Sequence, residues 1–159
     1  MDPRPSLCVA VQIERERQPN SWEDWRFRIT QVLADDGRFG AGARTLRDDG
    51  RHAVFLHPGL EVALYPDEAA GYRLNLDSGA PAWFVMWRVA DDDPSRAWPE
   101  RVTLSYHEAG RLLDAQERVD SLPLPPELLP WLADFALAHD RPEPRRRRRP
   151  ASFQAPGER

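Results

Sequence analysis

The sequence predicts an α+β domain with a mostly antiparallel sheet of five to seven strands, two C-terminal helices and a disordered basic tail. Three observations carry that expectation. Apolar and polar residues alternate through the early part of the chain; Pro, Gly, Asn and Asp punctuate it at short intervals, favouring hairpins over βαβ crossovers; and helical spacing emerges only after Leu104. Residues 1–140 form the expected domain and residues 141–159 the tail.

Leu7, Val9, Val11 and Ile13 alternate with polar neighbours, the period-2 mark of a half-buried strand. Trp25, Phe27 and Ile29, opposed by Arg26, Arg28 and Thr30, give a second strand after the turn formers Pro19, Asn20 and Ser21. The Gly- and Asp-rich segment 34–51 predicts loops with at most one short strand. "HAVFLHPGLEVALYP" predicts a hairpin: strands over 52–56 and 60–65 around a Pro58-Gly59 turn. Residues 67–70 suit a turn or short helical piece and 72–76 a strand-like end, whereas 82–89, "AWFVMWRV", is apolar on both faces and suits a central strand.

An acidic loop over 90–101 then leads to a short strand at 102–104. Ser105 followed by Glu108 fits a capping box, with Leu112 and Leu113 as the buried stripe of the helix it opens. The second helix runs from about Pro126 to His139, with Leu128, Trp131, Leu132 and Phe135 on one side and Pro130 near its start. Beyond Asp140, prolines and arginines with one lone Phe153 cannot build a core.

Charge is distributed unevenly. Residues 1–140 hold 15 Arg against 24 acids, while residues 141–159 hold 7 Arg against 2, so an acidic body carries a basic tail. All 22 basic residues are arginine, which excludes a Schiff-base lysine, a lysine general base and the P-loop lysine. The single Cys8 cannot form an intrachain disulfide and lies in the alternating apolar run, so a core thiol and a reducing cytoplasm are expected. No apolar h-region opens the chain, and the apolar stretch near residues 80–87 falls far short of a bilayer span.

Motifs for catalysis are weak. The four histidines and one cysteine show no metal-ligand spacing, so no metal and no cofactor is expected. "GRFGAG" departs from the dinucleotide fingerprint and "LDSG" from the nucleophile elbow; both read as turns. The acidic pairs at Asp35-Asp36 and Asp48-Asp49 and the triplet Asp91-Asp92-Asp93 read as solvated loop charges. Trp22, in a turn, is the candidate contact residue for a partner, together with Arg145, Arg146, Arg147, Arg148 and Arg149 of the tail; Tyr72, Arg73 and Asn75 form a candidate surface cluster. Two alternatives stand beside a protein-binding role: nucleic-acid binding through the arginine run, which the acidic body opposes, and a small enzyme using loop carboxylates with Tyr72, Arg73 and Asn75.

Three stretches, "IERERQPNSWEDWRFRITQVL", "LEVALYPDEAAGYRLNLDSGAPAWFVMWRV" and the segment from Leu104 to Pro150 containing "LPPEL" and the basic run, resemble a bacterial domain family of unknown function encoded beside formate dehydrogenase genes. The resemblance implies a non-catalytic cytoplasmic accessory protein that assists assembly, maturation or regulation of a molybdenum-dependent formate dehydrogenase. Its implied partners are formate dehydrogenase subunits or their maturation factors. Some relatives carry a label for molybdenum-cofactor nucleotidyl transfer, but that chemistry needs a Gly-rich loop with a lysine after the first strand, and "ERERQPNSWEDW" follows Ile13 here.

Overall fold

The computed structural model describes residues 5–19 and 24–140. Seven strands form two antiparallel sheets. The first contains β1 (Ser6–Arg17), β2 (Trp25–Ala34), β3 (Arg44–Asp48) and β4 (His52–Ala63) in the order β2-β1-β4-β3; the second contains β5 (Ala82–Ala90), β6 (Asp93–Thr103) and β7 (Arg118–Pro123) in the order β6-β5-β7. Three helices interrupt them: α1 (Ala69–Asp77), α2 (Tyr106–Asp114) and α3 (Leu129–His139). The α+β class and the antiparallel pairing agree with the sequence. Seven strands fall within the expected number; their division into two sheets, a third helix lying between β4 and β5, and a strand separating α2 from α3 differ from the expectation.

β1 is central because it is the strand able to bury one whole face. Val9, Val11 and Ile13 are fully buried and face Val62, Leu64, Trp83, Val85, Trp87 and Val102 across a single contiguous core. β5 takes the same place in the second sheet, as its two-sided apolar run predicts. α1 and α3 close the core together, with the rings of Tyr72 and Phe135 edge to face at 5.8 Å. The sheets are also tied by polar bonds. A register shift in β2 frees Ile29 N to donate to Asp120 Oδ2 at 2.9 Å, and Arg15 donates to the Ser95 carbonyl at 3.0 Å.

Several expectations are corrected. Pro58-Gly59 does not turn the chain. β4 runs straight through it as a bulge opposite β1, with Gly59 at φ 82 and its N–H donated to Asp35 Oδ2 at 2.8 Å. Proline lacks the donor that a ladder needs and glycine tolerates the positive φ, so the pair fits a bulge as well as a turn. Residues 72–76 are helix: Tyr72 and Asn75 are buried at i, i+3 spacing while Leu74 is exposed, the opposite of strand alternation. The acidic 90–101 segment turns tightly at Asp91-Asp92 and then forms most of β6, an edge strand that accommodates Pro94 and Pro99. Cys8 is exposed, because strand alternation that turns Leu7 and Val9 toward the core sends the residue between them outward.

The junction between α1 and the second sheet rests on one side chain. Asn75, fully buried, donates from Nδ2 to the carbonyls of Ala82 and Leu104, both at 2.9 Å, and accepts from Ala82 N at 3.0 Å. Ladder pairing between β5 and β6 begins at Phe84 and Thr103, so beyond that point Asn75 supplies the bonds a strand would. Asn75→Ala leaves two buried carbonyls and one buried N–H without partners, and the expected loss is roughly 3 kcal/mol. Urea unfolding of that variant checks it: the midpoint falls and the m-value is unchanged.

Candidate functional site

α2 begins where β6 ends, and its start is a closed polar knot. Ser105 Oγ accepts from Glu108 N at 3.1 Å, the expected N-cap bond. The reciprocal half of the capping box is relayed: Ser105 N donates to Thr103 Oγ1 at 3.1 Å, and Thr103 donates to Glu108 Oε1 at 2.6 Å. Ser105 Oγ also donates to Glu68 Oε1 at 2.5 Å, and Arg111 and Arg101 pair with Glu68 and Glu108 at 2.7 and 3.0 Å. Glu68, Arg101, Thr103, Glu108 and Arg111 border a polar cleft of about 540 Å³. The Ser105 hydroxyl is wholly buried with both its donor and acceptor roles filled, and no histidine bonds to it; its chemistry is that of a cap. Gly71 packs directly on it, since a Cβ there would overlap Ser105 Oγ.

The candidate residues are dispersed. Tyr72 and Asn75 are core residues, so they do not form a surface cluster with Arg73, whose guanidinium pairs with Asp140 at 2.5 Å. Helical geometry gives the reason: positions 72 and 75 share the inward side of α1 and 73 does not. Trp22 and Arg145 to Arg149 lie outside the described residues. The loop carboxylates do not converge either; most close their own turns. Asp35, Asp36, Asp48, Asp49 and Asp93 accept from the backbone N–H of Gly37, Arg38, Gly50, Arg51 and Ser95 respectively, at 3.0 to 3.1 Å. The backbone N–H of Arg38 holds Asp36, and those of His52 and Arg51 hold Asp49, below the usual carboxylate range. Among the described residues no group of three or more His, Cys, Asp or Glu is placed to hold a metal ion, and no helix is long and apolar enough to cross a membrane.

A surface that was not anticipated runs along α2. Tyr106, Ala109, Gly110 and Leu113 follow i, i+3, i+4, i+7 spacing, yet Ala109 is the one buried residue of the helix. Leu113, expected in the core, is 54% exposed and Tyr106 is 51% exposed. With Phe84 of β5 and Val119 of β7 they line a mainly apolar groove of about 210 Å³ on the outer side of the second sheet. Tyr106 is fixed there by an edge-to-face contact with Phe84, and beside Gly110 the space is open. The signal was present in the sequence as a helical stripe; what could not be read was that β7, rather than another helix, follows α2 and leaves the stripe uncovered.

Tyr72 shows how firmly α1 is seated in the core. Its hydroxyl accepts from Tyr65 N at 2.9 Å, and burial, with Glu68 and Glu108 nearby, pushes the phenol up to about 12. A phenol raised in the folded state contributes stability that is complete below its unfolded value of about 10 and lost as pH rises through 12. Alkaline unfolding is therefore expected to track ionisation of one of the three tyrosines, followed by tyrosinate absorbance. Tyr72→Phe should raise the alkaline midpoint while costing about 1 kcal/mol at neutral pH, because Tyr65 N loses its acceptor.

No curated protein and no solved structure matches the chain. The sequence profile of the family described as "Protein of unknown function (DUF3305)" matches residues 8–149, which span both sheets and all three helices, and the chain belongs to that family.

Proposed function

We propose that this protein is a non-catalytic accessory protein of the cytoplasm that works by docking to another protein through the apolar groove along α2. The open face of α2 is the observation that carries this reading. An amphipathic helix gains most of its stability by covering its apolar stripe, and an uncovered stripe rimmed by polar residues marks a contact surface. The groove is smaller than the roughly 300–1,000 Å³ of small-molecule sites and holds no charged side chain, so it suits one or two apolar side chains of a partner. The family resemblance supplies the partner class: subunits of a molybdenum-dependent formate dehydrogenase or its maturation factors, in assembly or regulation. An enzyme built on the loop carboxylates draws less support, since most of those groups close their own turns.

Two variants separate docking from folding. Gly110→Arg meets no atom within 4 Å at its Cβ, improves helix propensity and extends a long charged side chain at the groove; Leu113→Asp places a charge in it. Tagged wild-type protein from cells grown with formate is expected to retrieve formate dehydrogenase subunits or maturation factors, and both variants are expected to lose them while retaining the wild-type melting temperature. Recovery of none of these proteins by the wild type, or equal recovery by the variants, overturns the reading. So does a groove that holds only a second copy of this chain.

A further inference from the structure

A second cleft, sharing no residue with the α2 groove, opens between β3, β4 and β6 and measures about 420 Å³. Its lining is mainly apolar, with Phe55 of β4 and Trp98 of β6 among its walls, yet three arginines line it: Arg15, Arg44 and Arg96. This gathers cation on a body whose first 140 residues are strongly acidic. Arg15 is committed to the frame. It lies over the rings of Trp25 and Phe55 at 4.4 and 5.3 Å, bonds Ser95 O and pairs with Asp48 at 3.5 Å, while its Nε is buried without a hydrogen-bond partner. Arg44 and Arg96 are exposed and have no ion-pair partner among the described residues; Arg96 lies over the Trp98 ring at 5.3 Å. His57, half-buried on β4, completes the lining.

The opposing charge is small. Asp93 borders the cleft, but its carboxylate is turned to Ser95, accepting from the hydroxyl at 2.7 Å and the amide at 3.0 Å. Arg15 is matched by Asp48, and Arg44 and Arg96 against the Asp93 carboxylate still leave a local positive excess, while aromatic walls lower the dielectric in which it acts. Planar guanidiniums suit carboxylate and phosphate oxygens, while a ring or other flat apolar group suits Phe55 and Trp98. The size falls within the range of small-molecule sites.

We propose that this cleft is a binding site for a small organic anion with a flat apolar body, its charged end held by Arg44 and Arg96 beside His57 and its body lying on Phe55 and Trp98. The site adds a ligand to the protein independently of partner docking, because α2 contributes nothing to it.

Benzoate is the probe, with acetate and benzyl alcohol as the charge-only and ring-only controls, read by the imidazole NMR signals of the four histidines. His57→Gln identifies the His57 signal. Burial holds the His57 imidazole below the usual range, and the charged groups facing it are Arg15, Arg44, Asp93 and Arg96, so a bound carboxylate should raise its titration midpoint. Benzoate is expected to shift His57 saturably and to bind roughly tenfold more tightly than either control; Arg44→Gln and Arg96→Gln should each weaken it by roughly tenfold. Both arginines are exposed, and an unchanged melting temperature confirms that the variants fold. No saturable His57 shift, binding by either control equal to benzoate, or undiminished binding in the double variant overturns the proposal.

Discussion

Asn75 is the constraint from which the rest of the arrangement follows. A sheet whose strands stop pairing inside the protein must satisfy the backbone groups beyond the last ladder bond, and water cannot reach them. The primary amide is suited to this because it offers donors and an acceptor on one short side chain, and here it spends them on Ala82 and Leu104, the ends of two adjacent strands. On the other side of β5, Pro123 opposes Ala82 and Leu124 N donates to Pro81 O at 2.9 Å, so this end of the sheet is closed from both sides. Because α1 carries Asn75, the helix is fixed to the sheet by hydrogen bonds as well as by the apolar contacts of Tyr72.

That closure sets the direction of the chain after β6. With Asn75 occupying the place of a strand, the backbone leaves the sheet at Leu104, and Ser105 starts α2 at once. The knot of Thr103, Ser105, Glu68 and Glu108 fixes the exit angle, and Gly71 allows α1 and the head of α2 to approach as closely as they do. α2 then crosses the outer side of the second sheet at an edge, touching Phe84 through Tyr106 without covering Leu113. The open apolar face of α2 is thus a consequence of where the strand pairing ends. The arginine cleft arises at another margin, where β3 and β6 border the space between the two sheets.

How much of this could be read from the chain depends on how local each signal is. β1 and β5 were legible because alternation and a two-sided apolar run are properties of contiguous residues, and the Ser105 cap because its partner lies three positions on. Pro58-Gly59 reads as a turn in sequence because the same two residues serve a turn and a bulge; only the capture of Gly59 N by Asp35, 24 positions earlier, decides between them. Tyr72-Arg73-Leu74-Asn75-Leu76 alternates in hydropathy as a strand does. It folds as a helix because tertiary contacts to α3 and the bonds of Asn75 outweigh a weak local pattern. β6 and β7 were obscured by prolines, which edge strands tolerate. The arginine cleft joins residues from positions 15 to 98, a long-range set that no spacing rule addresses.

Native-state hydrogen exchange tests whether the side chain of Asn75 continues the hydrogen-bond ladder of the second sheet. Ala82 N–H is expected to exchange as slowly as the amide of Val85 in the middle of β5, with the Asn75 side-chain amide protons protected alongside it. Exchange of Ala82 N–H at the rate of the amides in the loop near Gly40, with Val85 still protected, would contradict it.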